Sequence, residues 1–190
     1  MAKVFVITGP SGVGKGTLIN ELRSRIDGLE LSVSATTRPP RKGELDGTEY
    51  HFLDASEFER LADEGSFLEH AEYSGHRYGT LRSEVEGKLA AGNPVVLEIE
   101  VQGARQVRAA MPEAVQVFIA PPNPEALEVR LQGRGTDDPA AIERRLEVSS
   151  TELEAQSEFA HVVVNDEIKR AATELEEIAR DELSLECEQQ

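Results

Sequence analysis

Apolar residues gather along this chain in five short runs, Val4 to Thr8, Leu31 to Ser34, Val95 to Ile99, Val115 to Ile119 and His161 to Val164. Helix-length stretches separate them. Three of the runs are nearly continuous in β-branched residues, the pattern of strands covered on both faces of a parallel sheet. Between the runs the apolar period changes. Leu18, Ile19, Leu22 and Ile26 fall on one face of a helix after the first run. Phe58 and Leu61 mark a helix over Asp54 to Asp63; others cover Thr80 to Ala91, ending at Gly92, and Gly103 to Ala110, stopped near Pro112. Pro139 to Phe159 reads as a long, highly charged helix. Glu167 to Asp181 closes the chain, with Ile168, Ala172, Leu175 and Ile178 on one face. The pattern predicts an α/β layered fold around a central parallel five-stranded sheet.

Two sections interrupt it. Ser34 to Leu89 is polar and Gly-rich, long enough for a small subdomain standing over the end of the first strand. Pro121 to about Ser157 opens with Pro-Pro-Asn-Pro and carries Gly-Arg-Gly-Thr-Asp-Asp, punctuation that favours hinges and a mobile cover. The expected organisation is one unit over 1–190, with a core of 1–33, 90–120 and 158–190, an insert at 34–89 and a lid at 121–157.

Composition narrows the function. No run of about 20 apolar residues occurs and the chain enters its first strand without a signal-like segment, so a soluble, cytoplasmic protein is expected. The single cysteine, Cys187, excludes an internal disulfide framework. A formal charge of −16 argues against a broad nucleic-acid or anionic-membrane surface. Basic side chains nevertheless cluster, around Arg38, Arg41, Lys42 and Arg77 and again around Arg130, Arg134, Arg144 and Arg145. Small, highly charged anions suit such clusters.

The residues from Gly9 to Thr17 read Gly-Pro-Ser-Gly-Val-Gly-Lys-Gly-Thr, between the first strand and the first helix. A strand that ends in glycines and reopens as a helix points several N–H groups into one small volume, and Lys15 adds a positive charge beside them. The expected occupant is a nucleotide's polyphosphate, cradled by Gly9, Pro10, Ser11, Gly12, Val13, Gly14, Lys15, Gly16 and Thr17. The general pattern asks for Ser or Thr directly after the lysine, to meet Mg²⁺; here Gly16 stands there and Thr17 follows.

The chain resembles the guanylate kinase family over about residues 3 to 182. The likeness rests on Gly-Pro-Ser-Gly-Val-Gly-Lys at 9–15, Ser-Val-Ser-Ala-Thr-Thr-Arg-Pro-Pro-Arg-Lys-Gly-Glu at 32–44, and Phe-Leu-Glu-His-Ala at 67–71. It continues through Tyr-Gly-Thr at 78–80, Val-Gln-Gly-Ala at 101–104, Leu-Gln-Gly-Arg-Gly at 131–135 and Val-Asn-Asp at 164–166. The resemblance implies a three-layer P-loop NTPase-type fold, with 34–89 as a GMP-binding subdomain. It implies transfer of the γ-phosphoryl group of ATP to GMP and its 2′-deoxy analogue, with Mg²⁺. Ser34, Arg38, Arg41, Tyr50, Glu69, Tyr78 and Thr80 would then form the acceptor site. Arg38 and Arg41 suit a phosphate through planar, multiply donating guanidinium groups. Glu69 suits guanine, whose pairing edge presents adjacent N–H donors that adenine lacks.

Glu98 and Glu100 lie where family members generally carry aspartates, and with Thr17 they are the candidate metal ligands, Glu98 and Glu100 also reaching the acceptor. Arg130, Arg134 and Arg145 are the expected clamp on the ATP phosphates, and Asn165 is the resemblance's candidate for the adenine edge. Lys15, Arg38, Arg134 and Arg145 are the expected catalytic set. No nucleophilic side chain is needed, because a monophosphate with a second pKa of about 6 attacks directly. Two other readings compete: a P-loop kinase for another small acceptor, and a non-catalytic module that binds a phosphorylated protein. Monomer and homodimer both stay open.

Overall fold

The computed structural model describes residues 2–73, 75–132 and 139–184, without the side chains of 131, 132, 139–145 and 147. In chain order its elements are β1 (Val4–Thr8), α1 (Lys15–Arg25), β2 (Glu30–Leu31), β3 (Ala35–Thr36), β4 (His51–Phe52), α2 (Ala55–Asp63), β5 (Phe67–Tyr73) and β6 (His76–Leu81). There follow α3 (Arg82–Ala90), β7 (Val95–Glu98), α4 (Val101–Ala110), β8 (Val115–Ala120), α5 (Pro124–Gln132), α6 (Pro139–Glu154), β9 (His161–Val164) and α7 (Ile168–Ser184).

Five strands form a parallel sheet in the order β2-β7-β1-β8-β9. Alternation along each strand divides the core in two. Phe5 and Ile7 of β1 join Val117 and Ile119 of β8 on the face covered by Leu18, Ile19 and Leu22 of α1 and Ala172 and Leu175 of α7. Val4 and Val6 join Leu97 and Phe118 on the other face, against Val85 of α3 and Ala104 and Val107 of α4. Strands so enclosed are the ones a continuous apolar run announces.

The expected insert carries a second sheet, ordered β4-β3-β6-β5, with β5 and β6 an antiparallel hairpin. It has a core of its own, in which Phe58 of α2 stacks on Phe67 at 4.5 Å between ring centroids, next to Ala35. Asp54 caps α2 by accepting the Glu57 N–H at 2.8 Å.

Several boundaries differ from those expected. Thr80 and Leu81 belong to β6, paired with Glu69 and Phe67, so that helix begins at Arg82: cross-strand pairing outweighs the capping propensity of Thr80. Of the second run only Leu31 joins the main sheet, with Glu30 before it, since the chain crosses toward β3 after Ser32 donates its N–H to Val96 O. The helix expected from Gly103 starts two residues earlier, directly after Glu100. The long charged helix stops at Glu154 and finishes in a single 3₁₀ turn, Ala155–Glu158. Asn123 and Pro124, expected in a hinge, begin α5, the Asn123 side chain accepting the Ala126 N–H at 2.8 Å.

Candidate active site

The glycine-rich loop leaves the carboxyl end of β1, where ligands collect in open α/β sheets. It crosses the end of β8 so closely that a Cβ on Gly9 would lie 2.2 Å from Ile119 O, and its φ of 137° suits glycine. Farther along, a Cβ on Gly14 would meet Asn165 Nδ2 at 2.6 Å. Asn165 is 2 % exposed and binds the loop from below, its Nδ2 donating to Val13 O at 2.8 Å and its backbone N–H to Ala120 O at 2.8 Å. Arg130 of α5 reinforces that contact, donating to Val13 O at 3.1 Å and to Asn165 O at 2.8 Å. Lys15 opens α1, and its Nζ donates to Gly9 O at 2.6 Å and Pro10 O at 3.2 Å, which keeps the ammonium folded over the loop. The first turn of α1 presents its N–H groups to the same space.

Beside the loop, Ser34, Tyr50, Glu69, Tyr78, Glu98 and Glu100 line one cavity of about 280 Å³. Four regions distant in sequence thus meet: the β2–β3 link, the β3–β4 connection, the β5–β6 hairpin and the β7–α4 junction. Glu69 is 6 % exposed, and its Oε1 accepts the Thr80 hydroxyl at 2.7 Å. Burial raises its carboxyl above the usual range, and the Thr80 hydrogen bonds only partly offset that. Arg38 joins through Tyr50, its guanidinium carbon 5.3 Å from that ring's centroid, and Tyr50 meets Tyr78 at 6.0 Å. Burial pushes the Tyr50 phenol up. Arg41 is exposed in the following loop.

Glu98 ends β7 beside α1: a Cβ on Gly16 would stand 3.5 Å from its Oε2. Thr17, one residue on, is exposed. Glu100 opens to the cleft from the N-cap of α4, yet enough protein surrounds it to raise its carboxyl, against the pull of Lys15. Arg134 lies outside the described residues, as do the side chains of Arg144 and Arg145.

Three neighbours of these groups escape sequence reasoning. Gly103 of α4 passes so near Glu69 that a Cβ there would lie 2.7 Å from Oε2. Glu44 pairs with Arg38 at 2.9 Å and accepts the Arg41 N–H at 2.7 Å. Glu152 of α6 has its carboxyl pushed up to about 7, chiefly by burial, against the pull of Lys15. Glu44 and Gly103 each stand inside a motif block, a usable signal, whereas Glu152 carries no local mark.

The guanylate kinase family model matches residues 1–182. The chain belongs to the guanylate kinase family. It is 54 % identical over 176 residues to the guanylate kinase of Synechococcus sp. (strain CC9311), covering 93 % of each chain. It is 55 % identical over 170 residues to that of Frankia casuarinae, covering 90 % of this chain and 92 % of the relative. Among solved structures, guanylate kinase from Anaplasma phagocytophilum superposes with a TM-score of 0.74 at 33 % identity, over 95 % of this chain and 86 % of that one. A gluconokinase from Sinorhizobium meliloti, at 18 % identity and a TM-score of 0.53, shares the fold alone, over 100 % of this chain and 98 % of that one. The P-loop NTPase fold expected from the sequence is therefore the one observed. Among the described residues no helix is long and apolar enough to cross a membrane.

Proposed function

We propose that the chain transfers the γ-phosphoryl group of ATP to GMP and to its 2′-deoxy analogue, giving ADP and the corresponding diphosphate. One observation carries the reading: a buried carboxylate, Glu69, shares a cavity with the two acids beside the phosphate loop. With Oε1 held by Thr80, Glu69 retains acceptor capacity for the adjacent donors of guanine, and Ser34 adds a hydroxyl on the cavity wall. Adenine would leave that carboxylate unpaired, a penalty of about 1–3 kcal/mol or more. Arg38, Arg41, Tyr50 and Tyr78 take the acceptor phosphate, which displaces Glu44 from Arg38.

The donor's phosphates lie in the loop from Gly9 to Thr17, with Lys15 as the fixed charge. Arg130 and Asn165 hold that loop in shape, and the buried Asn165 Oδ1, without a partner among the described residues, is an acceptor on the donor side. Glu98 and Glu100 suit a hard cation: both line the cavity, Glu98 stands beside Gly16, and burial disfavours the charge on Glu100 while Lys15 offsets it. With Thr17 they would hold Mg²⁺, which when bound supplies charge neutralisation on the donor's β- and γ-phosphates. The ionised acceptor oxygen attacks Pγ in line, the bond from Pγ to the β–γ bridging oxygen breaks, and ADP departs with that electron pair. No covalent enzyme intermediate forms. In this reading 34–89 is the GMP-binding subdomain, and 121–157 is a lid that brings Arg134 and Arg145 onto the moving group and excludes water. The reading places the reaction in the cytoplasm.

A coupled ADP-release assay with ATP, Mg²⁺ and each monophosphate in turn tests this. GMP is the expected acceptor. Faster turnover with AMP than with GMP would refute the assignment of Glu69.

A further inference from the structure

Strand β5 is held by two different parts of the molecule. It is the edge strand of the insert's sheet, paired with β6 on one side. An irregularity in that pairing between Phe67 and Glu69 sends neighbouring side chains to different cores. Phe67 packs with Phe58 and Ala35 inside the insert, whereas Leu68 joins Val101, Ala104 and Val107 of α4 in the main core. Glu69 follows, with its carboxyl against Gly103, and then His70. The His70 ring leans on Phe67 and Phe58, at 5.7 and 6.1 Å between ring centroids, so its side chain belongs to the insert. Its backbone is tied to α4. The Gln106 side chain accepts the His70 N–H through Oε1 at 3.1 Å and donates from Nε2 to His70 O at 3.0 Å.

In an antiparallel pair, both main-chain groups of every second residue point away from the partner strand. Gln106 offers such a residue one acceptor and one donor, as another strand would, and so closes the edge at His70. Only a primary amide suits this place: an ionised carboxylate lacks the donor, and an ammonium lacks the acceptor. Gly103 and Gln106 stand three apart on α4, hence on one face, and address consecutive residues of β5. The helix thereby sets where Glu69 stands from two sides. Both Gln106 bonds lie at the surface, where water can replace them, so they fix position more than they add to stability.

We propose that Gln106 is a positioning residue for base selection: by clasping the backbone beside Glu69, it holds that carboxylate where it meets both donors of guanine. The proposal rests on the reading of Glu69 as the guanine partner. Guanine offers an N1–H and a 2-amino group, whereas hypoxanthine, the same ring system without the amino group, offers the N1–H alone. A carboxylate that shifts loses the second bond first. Loosening the clasp therefore narrows the preference for GMP over inosine monophosphate and leaves the ATP side untouched.

The test measures kcat and KM for GMP, inosine monophosphate and ATP in the parent, Gln106→Met and Gln106→Glu, together with Tm and exchange of the His70 amide followed by NMR. Methionine matches glutamine in length without either polar atom. Gln106→Met is expected to raise the KM for GMP about 5-fold or more, to shrink the preference over inosine monophosphate by about the same factor, and to exchange the His70 amide faster. Its KM for ATP should stay within about twofold of the parent's and its Tm within about 3 °C. Gln106→Glu keeps the acceptor for the His70 N–H and loses the donor, so it should fall between the two. Parental GMP preference in Gln106→Met would overturn the proposal, as would equal losses with both monophosphates or with ATP, the mark of general damage. A parent that used both monophosphates equally would instead sink the assignment of Glu69, while His70 amide exchange still judges the clasp.

Discussion

Replacing Gly103 by Ala adds one methyl group to α4 and aims it at Glu69, the carboxylate proposed to read guanine. The new Cβ would stand 2.7 Å from Glu69 Oε2, 3.2 Å from its Cδ and 3.4 Å from its Cγ. The nearest contact is about 1 Å short of a comfortable separation, so one partner must move. The helix backbone is held by the packing of Ala104 and Val107, whereas Glu69 is a side chain and yields first. Its Oε1 is tied to Thr80 at 2.7 Å, and turning the carboxylate away weakens that bond and, in the proposed reading, misaligns the oxygens that take guanine. A hydrogen bond to a charged group contributes about 1.5–3 kcal/mol, so losing the equivalent of one lowers kcat/KM for GMP about 10- to 100-fold. Alanine favours the helix by about 0.5–1 kcal/mol over glycine, which offsets part of the strain and keeps the melting temperature near the parent's. The assay varies GMP and ATP separately in a coupled measurement of ADP release, and the KM for ATP should stay put. Combined with Glu69→Gln, the losses should fall well short of additive, since both act on one carboxylate. An unchanged KM for GMP, an equal loss on the ATP side, or full additivity would refute the reasoning.

Lys15→Ala should lower kcat by about 10²-fold or more with every acceptor; GMP binding measured calorimetrically without ATP should hardly change, and selective loss with one acceptor would contradict the donor-site assignment. Gly9→Ala sets a methyl group 2.2 Å from a main-chain oxygen of β8, which cannot swing aside, at a φ of 137°. A destabilisation of about 3 kcal/mol, or about 6–12 °C in Tm, is expected, and a Tm within 2 °C of the parent would show that the loop can be rebuilt. Between its ordinary value of 4.5 and about 7, Glu152 binds a proton in the folded chain that the unfolded chain has released. Its contribution to stability therefore falls as pH rises through that window, and the Tm of the parent relative to Glu152→Gln should be lower at pH 8 than at pH 5. A flat or opposite trend would contradict the burial argument.

The parallel sheet could be read from the chain because its central strands are apolar on both faces: Val4 to Thr8 and Val115 to Ile119 needed no partner to be recognised. The β5–β6 hairpin could not. Glu69, Tyr78 and Thr80 interrupt its alternation, since this sheet spends one face on a polar cavity. α5 was hidden by the prolines that open it. Ser34, Glu69 and Tyr78 stand in motif blocks and Tyr50 is implied by the resemblance, and the structure brings the four into one cavity with Glu98 and Glu100. What the motifs omit is how the blocks bear on one another. Gly103 looks like an ordinary helical glycine until its distance to Glu69 is known, and Glu152 resembles any other acid in a charged helix.

The start of α4 faces two ways. Glu100 at its N-cap lies within the field of Lys15, and Gly103, three residues on, abuts the Glu69 carboxylate. In the proposed reading a single turn of backbone thus acts as a ruler between the donor and acceptor ends of the cleft. Lengthening or shortening that turn would change the reach across which the phosphoryl group must travel, whatever nucleotides were bound. Base preference, by contrast, can drift through exchanges around Glu69 and Thr80 while the ruler keeps its length.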